Sequence, residues 1–200
     1  WTEKYRPSKL SDIAGQEHFV LDAEQWVLEN NMPNVLAYGM QGTGKTGAAI
    51  ALAKSMLGDT FKDNFFEVNA SDDRRLETVR TTIKQVAQSG TLGDAPFRIM
   101  LLDEMDGMTS DAQNALKRIM ERYANNIRFI ITCNDKSRII FPLQSRCANY
   151  RFNPLKNEVV LEVIKNILDK EQVEGFADED LARFIYDLDG DLRRAITEIQ

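Results

Sequence analysis

Apolar positions along this chain fall into two alternating patterns. Short β-like runs at Asn34–Tyr38, Phe65–Asn69, Arg98–Leu102, Arg128–Cys133 and Asn149–Phe152 are separated by segments with helical spacing. The middle runs are continuously apolar, the pattern of strands in a parallel sheet covered by helices on both faces. Leu76, Val79, Ile83 and Val86 keep a stripe on one helix. Ala112, Leu116, Ile119 and Tyr123 keep another, behind Thr109 and Ser110 as capping residues. The alternation predicts a doubly wound α/β domain.

After Asn153-Pro154 the β-like runs stop. Val160, Val163, Ile164, Ile167 and Leu168 form one helical stripe, Leu181, Phe184, Ile185 and Leu188 a second, and Gly190 introduces a third helix from Leu192 to Ile199. The change predicts an α/β domain over 1–152 and a small all-helical unit over 153–200. The sequence shows neither internal repeats nor a low-complexity segment.

Composition narrows the class. Hydrophobic residues make up 43% of the chain, enough for a substantial core, and 25 basic against 31 acidic residues leave a net charge of −6. That excludes a generally basic binder but not a local basic patch, since phosphates respond to charge within about a Debye length, ~8 Å. Two cysteines, Cys133 and Cys147, are too few for a disulfide scaffold and point to a reducing compartment. With His18 they give no metal-ligand spacing, so both read as packed small residues. No apolar run approaches the ~18 residues that span a bilayer, and no charged leader opens the chain. A soluble intracellular protein with no membrane association is expected. A start without Met and an end inside a helical pattern suggest a piece of something longer.

The candidate chemistry starts at Gly39-Met40-Gln41-Gly42-Thr43-Gly44-Lys45-Thr46, which fits the phosphate-loop pattern between an apolar strand and a helix. The glycines Gly39, Gly42 and Gly44 let successive backbone N–H groups turn around an anion. Lys45 supplies a point charge for terminal phosphates, Thr46 a hydroxyl for Mg²⁺, and the helix beginning there its positive dipole end. Ile99–Leu102 then runs into Asp103-Glu104. Two carboxylates at a strand end have two jobs available: Asp103 to hold Mg²⁺ through water, Glu104 to orient or deprotonate an attacking water. Asn134 ends the next strand and would project from the same sheet edge, where parallel α/β sheets bind ligands. Alone it would read as the start of a turn; with the other motifs it reads as a sensor of water or the γ-phosphate.

These motifs, with the opening Trp1-Thr2-Glu3-Lys4-Tyr5-Arg6-Pro7, Ser145-Arg146-Cys147 and Gly190-Asp191-Leu192-Arg193, occur in the order and spacing of AAA+ clamp loaders. The chain resembles the replication factor C small subunits of archaeal or eukaryotic type over essentially its whole length. The resemblance implies a five-stranded AAA+ nucleotide domain, a helical lid, and a C-terminal collar beyond these residues that holds five subunits in a ring. It implies ATP and Mg²⁺ as cofactors. The implied partners are other clamp-loader subunits in a hetero-pentamer, a sliding clamp, and primer–template DNA. ATP binding would open the clamp and hydrolysis release it, in the cytoplasm or nucleoid of an archaeon or the nucleus of a eukaryote.

By the same resemblance Tyr5, Arg6 and Pro7, together with Thr43 in the loop, belong to the nucleotide pocket. Arg146 resembles the arginine finger offered to the neighbouring subunit's ATP, and Arg193 a second sensor reaching from the lid, with Arg194 adjacent as a competitor. Arg80 and Lys84, one turn apart, resemble residues that track a DNA backbone, and a solvated face fits them equally well from sequence. Lys117, Arg118 and Arg122 share that ambiguity. Two departures stand out: Met40-Gln41 replaces a usual pair of prolines, and Arg75-Leu76 replaces a usual Gly-Ile. Another AAA+ DNA motor, such as a branch-migration helicase, or a non-hydrolysing ATP-binding scaffold remain the alternatives. The first would not call for Ser-Arg-Cys, and Lys45, Glu104 and Arg146 speak against the second. A small-molecule kinase would need an acceptor-binding lid.

Overall fold

The computed structural model describes residues 1–70 and 76–200, with the side chains of 76–80 left aside. Arg75 and the side chains of Leu76, Val79 and Arg80, all named above, lie outside the described residues.

Five strands form one all-parallel sheet: β1 (Val35–Tyr38), β2 (Phe65–Asn69), β3 (Arg98–Asp103), β4 (Ile127–Cys133) and β5 (Ala148–Arg151), in the spatial order β2-β3-β4-β1-β5. Leu102 pairs with Val68 on one side and Ile131 on the other, and Leu36 pairs with Ile131 and Asn149. This register brings the C-terminal ends of β1, β3 and β4 together along one edge. Strand bounds differ from the predicted ones by a residue: β3 extends to Asp103, β4 starts at Ile127, and β5 ends at Arg151.

The helices are α1 (Glu17–Leu28), α2 (Lys45–Leu57), α3 (Phe61–Asn64), α4 (Leu76–Gln88), α5 (Ser110–Arg122), α6 (Phe141–Gln144), α7 (Asn157–Glu171), α8 (Asp178–Tyr186) and α9 (Leu192–Ile199). Alternation along the strands sends Val35, Ala37, Ile99, Leu101 and Ile130 to one face, against Phe19 and Ala23 of α1 and the apolar side chains of α2. Leu36, Met100, Leu102, Phe129 and Ile131 go to the other face, against Ile83 and Val86 of α4 and Leu116 and Met120 of α5. Helix α1 is absent from the predicted elements. Its signal was present as Phe19, Ala23 and the half-buried Trp26 at helical spacing, and it buries them on the α2 side of the sheet.

The edge strands correct the reading of β2 as a run buried on both faces. β2 leaves Glu67 and Asn69 exposed. Thr109 alone caps α5, accepting from the Ala112 N–H at 3.4 Å, with Ser110 inside the helix.

Helices α7–α9 build a cluster of their own around Val160, Ile164, Leu181, Ile185 and Ala195, which Trp1 and Tyr5 join from the start of the chain. Gly190 joins this cluster to the segment after β5. It adopts φ +77, and a β-carbon there would come within 2.6 Å of the Leu155 backbone. No helix of the described residues is long and apolar enough to cross a membrane.

Candidate nucleotide site

The loop between β1 and α2 is shaped from within. Gly39, at φ +146, lies so close to the Phe152 carbonyl that a β-carbon would approach it to 2.2 Å. Gly44 takes φ +91 as the residue before α2, and no side chain caps that helix. Its first-turn N–H groups and dipole therefore face the cavity. The Thr43 hydroxyl donates to the Met40 carbonyl at 2.9 Å, and Thr43 is buried. Gly39 and Thr43, named above as nucleotide-binding, thus hold the loop's shape, and neither lines the cavity.

Lys45 is only 8% exposed. Its ammonium donates to the Gly39 and Met40 carbonyls, both at 2.7 Å, and to Asn134 Oδ1 at 3.1 Å. Burial lowers its pKa, an effect opposed by Cys133, Asp103 and Asp106 and reinforced by Arg193. Thr46 Oγ1 lies 3.1 and 3.2 Å from the two oxygens of Asp103, which also accepts from the Thr132 hydroxyl. A hydroxyl beside a carboxylate is an oxygen-only pair suited to a hard divalent cation. Among the described residues no group of three His, Cys, Asp or Glu could hold a metal by itself.

Glu104 follows β3 in the left-handed region, at φ 53 and ψ 46. A non-glycine residue there is strained by about 1–3 kcal/mol, which the surrounding structure must offset. The conformation is held by the Glu104 N–H donating to Thr132 Oγ1 at 3.2 Å and by Asn69 Nδ2 donating to Glu104 Oε2 at 3.3 Å. Burial, with Asp106 adding to it, pushes the Cys133 thiol in the cavity wall up to about 12, so it stays protonated. Burial does the same to Cys147. Both cysteines behave as packed thiols, as expected.

The opposite wall comes from the chain's start and from α9. Pro7 lies against the first turn of α2, where a β-carbon on Gly47 would touch its ring at 3.1 Å. Tyr5 donates from its hydroxyl to Glu171 at 2.7 Å, Lys4 donates to the same carboxylate at 2.5 Å, and Arg6 pairs with Glu3 at 2.7 Å. Asp191 caps α9 by accepting from the Arg194 N–H at 2.9 Å. The structure separates the two adjacent arginines: Arg193 lines the cavity, whereas Arg194 turns to Glu198 at 2.6 Å.

Of the residues singled out from sequence, one cavity thus gathers Tyr5, Arg6, Pro7, Gly42, Gly44, Lys45, Thr46, Asp103, Glu104, Asn134 and Arg193. Arg146 is elsewhere. Its guanidinium pairs with Glu121 of α5 and donates to the Pro142 carbonyl at 2.7 Å. Lys84 is exposed on α4, away from the cavity. Sequence reasoning missed Asn69, Asp106 and Thr132. Asn69 and Thr132 sit at or near strand ends, a signal that becomes readable only once the strand order is known.

Residues 35–155 match the model of the ATPase family associated with various cellular activities, abbreviated AAA. The chain belongs to the AAA family. The matched region of this AAA protein runs from the start of β1 to just beyond β5. Over all 200 residues it is 46% identical to the replication factor C small subunit of Methanococcus maripaludis strain S2. Identity is 48% to the protein of that name in Methanothermobacter thermautotrophicus and 45% to that in Archaeoglobus fulgidus. The chain spans 62–63% of the length of these curated relatives. Among solved structures, the Thermotoga maritima RuvB Holliday junction branch migration motor superposes with a TM-score of 0.79. That match covers 96% of this chain and 63% of the other, at 18% identity, and so speaks to the shared AAA fold alone.

Proposed function

We propose that this chain is the nucleotide-driven part of a replication factor C small subunit, with 1–152 as nucleotide domain and 153–200 as lid. It would bind ATP with Mg²⁺, hydrolyse it within a ring of clamp-loader subunits, and so help open a sliding clamp and load it on primer–template DNA. The identity to relatives of that name, sustained over all 200 residues, supports the assignment. In an archaeal or eukaryotic cell this work belongs with the replicating DNA.

The observation that carries the reading is the division of the catalytic set. Lys45, Thr46, Asp103, Glu104, Asn134 and Arg193 meet in one cavity, whereas Arg146 is exposed on another surface, held by Glu121 and Pro142. A cation stationed away from its own cavity suits a site completed by a neighbour.

In this reading the α2 N-terminus and Lys45 bind the terminal phosphates, and Thr46 and Asp103 would hold Mg²⁺, which would supply positive charge to offset the charge developing in the reaction. The Glu104 carboxylate orients the attacking water and accepts its proton at an Oε atom. Asn134 and Arg193 sense the γ-phosphate from the sheet and the lid. The segment 5–7 flanks the base. Arg146 supplies positive charge to the neighbour's γ-phosphoryl oxygens. The exposed Lys84, with Arg80, would follow a DNA backbone.

The test is steady-state ATP turnover of the full-length assembled protein, with and without primed DNA and the cognate clamp. Stimulation that requires both supports the assignment. Stimulation by DNA alone, indifferent to the clamp, would instead indicate a DNA motor.

A further inference from the structure

Beyond the last ladder pair, Leu102 with Ile131, β3 and β4 are joined by two side-chain bridges. The first is the Thr132 hydroxyl, bonded to Asp103 and to the Glu104 N–H. The second is Asp106, in the short helical turn Met105–Gly107. Its Oδ1 accepts from the Asn134 N–H at 3.1 Å and the Asp135 N–H at 2.9 Å, and its Oδ2 accepts from the Asn134 N–H at 2.8 Å.

These are charge-assisted bonds to two successive backbone donors, about twice as strong as neutral ones, and they fix the direction in which the chain leaves β4. Asp135 in turn caps the next turn by accepting from the Ser137 N–H at 2.8 Å. The Asn134 side chain stands on this fixed backbone, with its Oδ1 accepting from Lys45. Asn134 itself is exposed.

We propose that Asp106 is a positioning residue for the phosphate end of the cavity: it locks the end of β4 and so holds the Asn134 amide against Lys45. The inference rests on the reading of the cavity as a nucleotide site. Asp106 acts through Asn134 and touches no phosphate.

The test is a double-mutant cycle in the full-length assembled protein. ATP turnover at saturating ATP, nucleotide affinity and melting temperature are measured for Asp106→Ala, Asn134→Ala and the double variant. A displacement of about 1 Å near reacting groups can cost on the order of 10²-fold, so each single variant is expected to lose roughly ten- to a hundredfold in turnover. If Asp106 acts through Asn134, the double variant falls no more than about twofold below the lower single variant, because the interaction is already gone. Multiplying losses, or wild-type turnover in Asp106→Ala, would overturn the inference and leave the nucleotide reading intact. Wild-type turnover in Asn134→Ala would overturn the role of Asn134 together with this inference. Should Asp106→Ala fail to fold, Asp106→Asn carries the same cycle. It keeps one acceptor oxygen, so a smaller loss that vanishes on the Asn134→Ala background supports the inference and an undiminished one overturns it.

Discussion

The cavity has two walls of different construction. The sheet wall stands at the ends of β1, β3 and β4, where Lys45 is 8% and Thr132 1% exposed, Lys45 is bonded to Asn134, and Thr132 to Asp103. The lid wall presents an exposed Arg193 from α9. It reaches the rest of the molecule through Asp191 against Gly42, Glu171 receiving Tyr5 and Lys4, and the packing of Trp1, Tyr5 and Ala14 against its apolar cluster. The burial that stabilises the fold also fixes the sheet wall. The lid wall is joined by partly buried apolar packing and a small number of polar contacts at its rim, and the rim contacts are weak enough for the binding energy of a ligand to rearrange. In the proposed reading, chemistry that needs fixed geometry would sit on the first wall, and a group that reports on occupancy on the second.

The largest expected effect comes from a residue belonging to neither wall. Arg146→Ala should leave nucleotide affinity of the isolated subunit unchanged and lower turnover of the assembled ring by roughly 10³–10⁵, the range of fingers supplied in trans. Equal turnover of variant and wild-type rings would mean that the two walls suffice without a neighbour.

Within the sheet wall, Glu104→Gln should retain ATP binding and lose on the order of 10²–10⁴ in turnover, as for removal of a general base. Single-turnover assays with a separate binding titration separate the two steps. Normal turnover would move water activation to another residue.

The contact between the walls is tested by Gly42→Ala. Gly42 has φ +74, and a β-carbon would stand 1.8 Å from Asp191 Oδ1, the atom that caps α9. Loss of the cap costs about 0.5–2 kcal/mol and the left-handed backbone roughly 1–2 kcal/mol more. Nucleotide affinity is expected to fall roughly ten- to several-hundredfold at those costs, with the change in turnover at saturation much smaller. Unchanged affinity would show that the lid docks without this contact.

The smallest effect is at the outer rim. Hydrogen bonds from Lys4 and Tyr5 hold the Glu171 carboxyl below its ordinary 4.5. A carboxylate with a depressed folded pKa stabilises the contact fully above about 4.5 and loses that contribution as pH falls through the lower folded value. Glu171→Gln should therefore weaken nucleotide binding by about twofold at neutral pH, as befits a solvent-screened pair. It should also flatten the acid limb of lid stability measured by hydrogen exchange on α7. An unaltered acid limb would show that the rim contact plays no part in holding the lid.

Legibility from sequence divides along the same line. The phosphate loop was readable because its geometry is set by contiguous residues: three glycines at positive φ followed directly by a helix N-terminus. Asp103 and Glu104 were readable because an apolar run ends in them. Helix α9 fits its predicted bounds, Leu192–Ile199, because Gly190 and the Asp191 cap mark its start locally. By contrast, the choice between Arg193 and Arg194 was open in sequence, since neighbours on a helix point about 100° apart and only docking selects one. Asn69, Thr132 and Asp106 carry no local signal. They matter because β3 lies between β2 and β4, which brings residues 28 to 35 positions apart into hydrogen-bonding distance.

The amino-acid sequence by itself determined the five strands, most of the longer helices, the phosphate loop and the class of chemistry, because periodicity, glycine conformation and helix capping act between near neighbours in the chain. Only the tertiary structure decided which strand ends share an edge, that Glu104 is held in a left-handed conformation, that Arg193 faces the cavity, and that Arg146 stands apart from it. Those outcomes depend on strand order and packing between distant segments, where the energy comes from burial of whole faces and is indifferent to the residues next along the chain.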